Sequence, residues 1–110
     1  MPVWQTAHVL SGEIFSITVD LPKSEDYGLT SQIRRSANSV SANISEGFGR
    51  SKKFDKAHFY IIARGSAHET QSHLDYGLLV GYFSQVERNK LNDEYENLII
   101  SLNKIIKTLL

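Results

Sequence analysis

The sequence contains no cysteine and only two prolines among its 110 residues. Without cysteine, the chain can form neither a disulfide framework nor a thiolate nucleophile, and this composition fits a reducing compartment. We therefore expect a cytoplasmic protein. The prolines, Pro2 and Pro22, lie where helix boundaries are expected, so the rest of the chain is free to form long helices.

Long apolar runs are absent as well. No run approaches the roughly 18 apolar residues of a membrane-spanning helix, and the N-terminus lacks the basic and apolar regions of a signal peptide. We expect no membrane association. Hydrophobic residues make up 41% of the chain, which is enough to bury a core, and the length predicts one domain over residues 1–110.

The period-two alternation of β-strands is missing, and apolar residues recur instead at steps of three and four. Four segments follow this rule, with the apolar seams Val3, Ala7, Leu10, Ile14, Ile17, Leu21; Leu29, Ile33, Ala37, Val40, Ile44; Ala63, Ala67, Thr70, Leu74, Leu78; and Leu91, Tyr95, Leu98, Leu102, Ile105, Leu109. Short connections make consecutive helices antiparallel neighbours. The sequence therefore predicts an all-α, antiparallel up-down-up-down four-helix bundle.

Residues that favour helix boundaries predict where these helices begin and end. Pro22 should end the first helix, because proline disfavours helical geometry in the residue before it. Gly47 should cap the second helix in a left-handed conformation, and Ser51 should be the N-cap of the third. The third helix should continue to Val80 and stop at Gly81, with Tyr82 and Phe83 covering the open end of the core.

Two boundaries and two side chains keep alternatives open. Ser24 and Asp26 are both suitable N-caps for the second helix. Residues 84–89 form either a turn or a single helical turn before the fourth helix. Trp4 and Phe15 flank the seam of the first helix, and they either complete the core, which we favour, or face a neighbouring subunit.

A polar stripe runs beside the apolar seam of the second helix, made of Gln32, Ser36, Ser39, Asn43 and Glu46. Facing the third helix, such a stripe predicts a buried polar network that fixes helix register, and a binding or catalytic network is the alternative. We assign five residues to this structural polar network: Arg35, Asn43, Glu46, Ser66 and Glu69. Gly65, inside the third helix, predicts close helix–helix contact, because glycine costs about 1 kcal/mol there relative to alanine.

Charge is balanced overall but unevenly distributed. Residues 34–64 carry seven basic and two acidic side chains, whereas the flanking segments are net acidic. The basic cluster at the turn between the second and third helices consists of Arg50, Lys52, Lys53 and Lys56, with Phe48 and Phe54 among them. This cluster is a candidate nucleic-acid-binding surface, whose phosphate contacts would depend on salt.

The spacings of Glu and His residues in this sequence do not match known metal-binding motifs. Glu69 and His73 are four residues apart, whereas di-iron bundles use Glu-x-x-His. His68 and His73 are five apart, which separates them by about 140° around a helix, so they cannot bind one ion as in H-E-x-x-H. We predict no catalytic residue, no metal and no cofactor. The enzyme alternative rests on a carboxylate pair formed by Glu46 and Glu69.

The chain resembles a known family through elements of its second and third helices. They are Gln32-Ile33-Arg34-Arg35, Asn43-Ile44-Ser45-Glu46-Gly47, and Ala63-Arg64-Gly65-Ser66 with Glu69. The family is that of the small bacterial four helix bundle proteins, also called 23S rRNA intervening-sequence proteins because some are encoded within 23S rRNA genes. A related protein, the accessory variability determinant of diversity-generating retroelements, is a pentameric barrel that binds nucleic acid and a reverse transcriptase.

The resemblance implies a homo-oligomer, with a pentamer expected, and admits RNA, DNA or another protein as a partner. Self-association is also favoured because the aromatic residues Phe15, Tyr60, Tyr76 and Tyr82 remain for exposed faces once the seams are filled. We expect a non-catalytic homo-oligomeric helical-bundle scaffold or interaction protein. The alternative is an RNA- or DNA-binding protein that uses the basic cluster directly.

Overall fold

The computed structural model describes residues 2–110, which form four α-helices and no strand. The helices are α1 (Pro2–Thr18), α2 (Leu29–Gly49), α3 (Lys53–Leu79) and α4 (Gln85–Leu109), with a 3-10 turn at Lys23–Glu25 between α1 and α2. Each helix packs against the next, and α1 closes the bundle against α4. The predicted all-α four-helix bundle is confirmed. None of the helices within residues 2–110 has the length and apolarity that crossing a membrane requires.

The core is built from the four predicted apolar seams and extends along the bundle, which measures 43 × 24 × 18 Å. At the end where α3 turns into α4, Phe83 is buried and Tyr82 packs against the core, as the sequence predicts. A Cβ on Gly77 would lie 2.2 Å from the Phe83 ring, so only glycine leaves room for this ring. Gly81, two residues after the end of α3, has φ +85°, a conformation that favours glycine.

Helix α1 ends at Thr18, four residues before the predicted boundary at Pro22. The Thr18 hydroxyl donates to the carbonyl of Ile14 (2.8 Å) and accepts from Arg34 Nε of α2 (2.8 Å). Side-chain bonding to the last turn competes with helix continuation, and here it also ties the end of α1 to α2.

Neither Ser24 nor Asp26 caps α2. The N-cap position is Gly28, and the Leu29 N–H donates instead to Glu25 Oε1 at 3.0 Å. Glu25 therefore satisfies one of the free N–H groups at the start of the helix, a role that capping side chains usually fill.

Gly47 is not the cap of α2, since the helix continues to Gly49, and among the described residues only Gly81 has positive φ. A Cβ on Gly47 would lie 3.0 Å from the Tyr60 ring and 3.2 Å from the carbonyl oxygen of Lys56. Glycine is thus required here by the close approach of α3. The N-cap of α3 is Lys52 rather than Ser51, without a side-chain hydrogen bond.

Helix α4 begins earlier than expected, because residues 84–89 form its N-cap and first turn. Ser84 Oγ accepts from the Glu87 N–H at 3.0 Å, and the Ser84 N–H donates to Glu87 Oε1 at 2.9 Å. This reciprocal pair is a capping box, which satisfies two free donors at the start of the helix.

The predicted close contact at Gly65 is wrong. Gly65 is exposed, and an added Cβ would meet no atom within 4 Å.

Two of the aromatic residues expected on exposed faces are not free there: Tyr60 is buried against α2, and Tyr82 packs against the core. Phe15 is 54% exposed, which agrees with that expectation and not with the favoured place in the core, and its ring centroid lies 4.2 Å from the Arg34 guanidinium. Trp4 is half-buried and packs against the core.

Candidate functional surfaces of the bundle

The middle of the α2–α3 contact contains a buried hydroxyl pair. Ser36 Oγ and Thr70 Oγ1 lie 2.8 Å apart and are completely buried. Ser36 also reaches the carbonyl of Ile33 (3.1 Å), and Thr70 reaches that of Ser66 (2.9 Å). The two hydroxyls therefore satisfy each other and their own helices. Sequence reasoning placed Ser36 on the polar stripe but missed Thr70 as its partner, because Thr70 continues an apolar seam.

A second polar group lies one turn closer to the α2–α3 connection. Ser66 Oγ donates to Ser39 Oγ at 2.9 Å, and Asn43 Nδ2 donates to Ser39 Oγ at 3.0 Å and to the Ser39 carbonyl at 2.8 Å. All three side chains are half-buried. Ser39 thus joins Asn43 and Ser66, which the sequence assigned to one network; Ser39 was placed on the polar stripe but not among the five residues of that network.

The third group is an ion pair at the surface. Arg35 of α2 binds the carboxylate of Glu69 in α3, and His73 Nε2 lies 3.2 Å from the same carboxylate. Gln32 Oε1 accepts from Arg35 at 3.2 Å. The Arg35 and Glu69 side chains are 57% and 37% exposed, and exposed pairs of this kind contribute about 0–1 kcal/mol.

Glu46 belongs to none of these groups, which corrects its assignment to the polar network. Its side chain is 55% exposed and lies 3.7 Å from Arg50. The helices are antiparallel, so Arg35 lies level with Glu69, and Glu46 lies eleven residues further along α2. At 1.5 Å per residue this separation is about 16 Å. The carboxylate pair of Glu46 and Glu69 that the enzyme alternative required is therefore not formed.

Two of the four predicted basic residues are engaged within the bundle. Lys56 Nζ donates to the carbonyls of Gly47 (3.3 Å) and Phe48 (2.9 Å), at the end of α2 where carbonyl groups lack helical partners. The Arg50 guanidinium lies 4.7 Å from the ring centroid of Phe59 and also pairs with Glu46. Lys56 and Arg50 thus help to hold the turn in shape.

The other two basic residues are free. Lys52 and Lys53 are exposed, and neither makes a side-chain hydrogen bond or ion pair with any other residue that the structure describes. Phe48 and Phe54 beside them are 64% and 80% exposed. This end of the bundle, named here the basic end, can offer two ammonium groups to phosphates and two phenyl rings to nucleobases.

Ionisable groups elsewhere do not assemble into a metal site. Within residues 2–110, no three His, Cys, Asp or Glu side chains are placed to share an ion. Burial, followed by the nearby Glu13 carboxylate, raises the pKa of Glu94 at the α1–α4 contact. Burial also raises the pKa of Tyr95, whose hydroxyl has no hydrogen-bond partner in the described part of the chain.

Comparison with known proteins identifies both a family and a fold. The family model described as 23S rRNA-intervening sequence protein matches residues 1–104. A crystal structure of a protein of unknown function, from the S23 ribosomal protein family of Bacteroides thetaiotaomicron, matches this chain with a TM-score of 0.86. The two chains are 23% identical, and the match covers 96% of this chain and 98% of the other. At this identity the match shows the fold alone. No curated protein matches the chain.

Proposed function

The chain belongs to the 23S rRNA-intervening sequence protein family, and from this premise we propose that it acts as a non-catalytic, homo-oligomeric scaffold that docks another protein or RNA in the bacterial cytoplasm. The observation that carries this proposal is the exposure of large hydrophobic side chains outside a closed core. Val9 is 62% exposed, Phe54 80% and Leu79 82%. A small monomer rarely leaves so many such groups in water without a partner.

The internal use of polar groups supports a structural rather than catalytic role for the α2–α3 contact. The buried hydroxyls of Ser36 and Thr70 bond to each other and to helix carbonyls. Glu69 is paired with Arg35, and Glu46 with Arg50. These contacts fix the register of two helices, which is a common use of polar groups in helical assemblies.

The mass of the purified protein in solution tests the scaffold proposal. One chain has a mass of 12.4 kDa, and we expect an oligomer, with five copies as the number that the family resemblance implies. Light scattering coupled to size exclusion measures this mass without reference to shape. A mass of 12.4 kDa at micromolar protein would contradict the proposal.

A second candidate function, nucleic-acid binding at the basic end, is favoured by the free Lys52 and Lys53 beside two exposed phenylalanines. Two lysine–phosphate contacts on a single strand predict that log affinity falls against log salt with a slope of about −1.4. Stacking on Phe48 and Phe54 would favour single-stranded over duplex RNA. Fluorescence anisotropy with both RNAs, from about 50 to 200 mM salt, measures the slope and the preference.

Paired substitutions separate this site from general charge effects. Lys52→Gln with Lys53→Gln should reduce the slope to near zero, since both expected phosphate contacts are lost. Lys23→Gln with Lys90→Gln removes the same charge from exposed positions near the opposite end of the bundle and should leave most of the slope in place. Equal slopes for the two double variants would refute a specific site, and no binding by the wild type at about 50 mM salt would remove this candidate altogether.

A further inference from the structure

The outward face of α1 carries no Asp, Glu, Lys or Arg. Its exposed residues recur at steps of three and four, the spacing of a coiled-coil seam, and Val19 continues this spacing one residue past the helix. We call these residues the α1 stripe: Gln5, His8, Gly12, Phe15 and Val19. Phe15 and Val19 are more than half exposed, at 54% and 57%, and the half-buried Arg34 of α2 places its guanidinium 4.2 Å from the Phe15 ring centroid at one edge of the stripe. A helix face that lies in water normally carries charged residues, so this stripe has the composition of a covered surface.

Helix α3 carries a second face of the same kind. Between residues 56 and 74 its exposed positions again lack Asp, Glu, Lys and Arg. The α3 stripe consists of His58, Ile61, Gly65, His68 and Ser72, and it extends about 21 Å along the helix. The outward face of α4 differs, because Lys90, Asp93, Glu96 and Lys104 are all exposed there.

The two stripes lie on opposite sides of the molecule. Helices α1 and α3 each pack between α2 and α4, so they occupy diagonal corners of the bundle, and their outward faces point away from each other. One chain therefore cannot bring its own stripes into contact. A second chain can present its α3 stripe to the α1 stripe of the first.

Each stripe has a glycine in its middle. A Cβ on Gly12 or on Gly65 would meet no atom within 4 Å, so neither glycine is required by packing inside the chain. Each costs about 1 kcal/mol of helix stability relative to alanine. Glycine does allow another backbone to approach closely, and an approaching helix would account for both residues.

We propose that the α1 stripe of one copy packs against the α3 stripe of a second copy, with Gly12 and Gly65 near the closest approach of the two helices. This inference rests on the self-association in the proposed function and specifies its surfaces. The occupant is another copy, because one repeated contact covers both uncharged stripes and leaves the charged face of α4 in water. Since the paired faces are unlike, each copy binds two neighbours, and the assembly closes into a ring or extends as a chain.

Two single substitutions test this pairing in the full-length protein. Gly12→Glu places a charge in the α1 stripe, and Gly65→Glu places one in the α3 stripe. Both positions are exposed with open space around them, so each variant should keep its helical circular dichroism. We expect each variant alone to have the 12.4 kDa mass of one chain by native mass spectrometry. Lys104→Glu on α4 is the control and should keep the wild-type mass.

An equimolar mixture of the two variants gives the decisive result. The Gly12→Glu chain keeps an intact α3 stripe, and the Gly65→Glu chain keeps an intact α1 stripe. One heterologous contact can therefore form, and the mixture should give a heterodimer of twice the single-chain mass and nothing larger.

Other results overturn the pairing. If either variant alone keeps the wild-type mass, its stripe is not in the interface. If Gly12→Glu dissociates and Gly65→Glu keeps the wild-type mass, the α1 stripe pairs with the α1 stripe of another copy. A mixture that stays monomeric excludes contact between the unlike stripes. These outcomes leave the scaffold proposal standing, whereas a monomeric wild type overturns that proposal together with this one.

Discussion

Tyr95 is completely buried in the core, and its hydroxyl has no hydrogen-bond partner among residues 2–110. A buried polar group in this state costs about 1–3 kcal/mol. Burial also raises the pKa of Tyr95, with smaller contributions from Glu13 and Glu94. The buried ring of Tyr95 stabilises the folded state, whereas its unpaired hydroxyl destabilises it.

Replacing Tyr95 by Phe should therefore leave the free energy of unfolding at pH 7 unchanged or raise it by up to about 1 kcal/mol. In the wild type, the folded-state pKa is higher than the unfolded one. The unfolded chain thus loses its proton first, and stability is lost as the pH rises above about 10. Tyr95→Phe should flatten this alkaline loss. Urea denaturation at neutral and alkaline pH measures both effects.

The exposed Tyr27→Phe serves as the matched control and should change little at either pH, since its ring is 96% exposed. If Tyr95→Phe lowers stability at pH 7 by more than about 1 kcal/mol, the hydroxyl has a bonding partner, and the account of its cost is wrong.

At the scale of helices, the α2–α3 contact has one consistent antiparallel register. Ser36 meets Thr70, Ser39 meets Ser66, and Gly47 meets Tyr60. Polar pairs occupy the part of the contact near the middle of α2, and an aromatic ring against a glycine occupies the part near the turn. Hydrogen bonds therefore specify the contact near the middle of α2, and steric fit specifies it near the α2–α3 turn.

Gly47→Val should lower the free energy of unfolding by about 1–3 kcal/mol, because the added atoms would press on the buried Tyr60 ring and on the backbone of Lys56. Ala42→Val at an exposed position of α2 introduces the same β-branched side chain and should cost less than about 1 kcal/mol. Chemical denaturation of the two variants gives the comparison. Equal losses would show that Gly47 is not held by its contact with α3.

This register explains how much of the contact the sequence could predict. Spacing along α2 placed Ser36, Ser39 and Asn43 on one stripe, and that placement needs only the helical period. Which residues of α3 they meet depends on the length and shape of the turn, and α2 continues past Gly47 where a cap was expected. For that reason Glu46 was assigned to a network that it does not reach.

Glycine was the least predictable residue for a related reason. A glycine inside a helix marks either a cap or a close approach, and sequence spacing does not say which. The sequence predicted a cap at Gly47 and a close helix contact at Gly65. In the structure the close contact is at Gly47, and Gly65 faces open space. By contrast, the four apolar seams depend only on steps of three and four, and the core follows them closely.

At the scale of the whole molecule, the bundle divides its surface by charge. The outward face of α1 and that of α3 between residues 56 and 74 carry no Asp, Glu, Lys or Arg, the face of α4 is charged, and the α2–α3 turn is basic. Self-association through uncharged faces would leave the basic end of every copy available to a further partner. The two proposed functions are thus compatible, with one surface for assembly and another for binding.

Assembly of this kind predicts a thermal midpoint that depends on protein concentration. Binding of a folded copy stabilises its neighbour by mass action, so the midpoint should rise between about 1 and 100 μM chain, by several degrees for a chain of this size. Scanning calorimetry or circular dichroism at both concentrations measures the shift. Gly12→Glu should abolish it, and a wild-type midpoint that does not change with concentration would contradict association of folded chains.

The up-down-up-down order has a practical consequence for the design of binding assays. With four helices alternating in direction, residues 2 and 110 both lie toward the basic end, on the side of the bundle where Lys52 and Lys53 are exposed. A purification tag fused to either terminus would therefore lie close to that surface, and a polyhistidine or acidic tag would compete with RNA for binding to it. Cleavage to a tagless chain, or a label placed in the α1–α2 or α3–α4 connection at the opposite end, keeps the surface accessible.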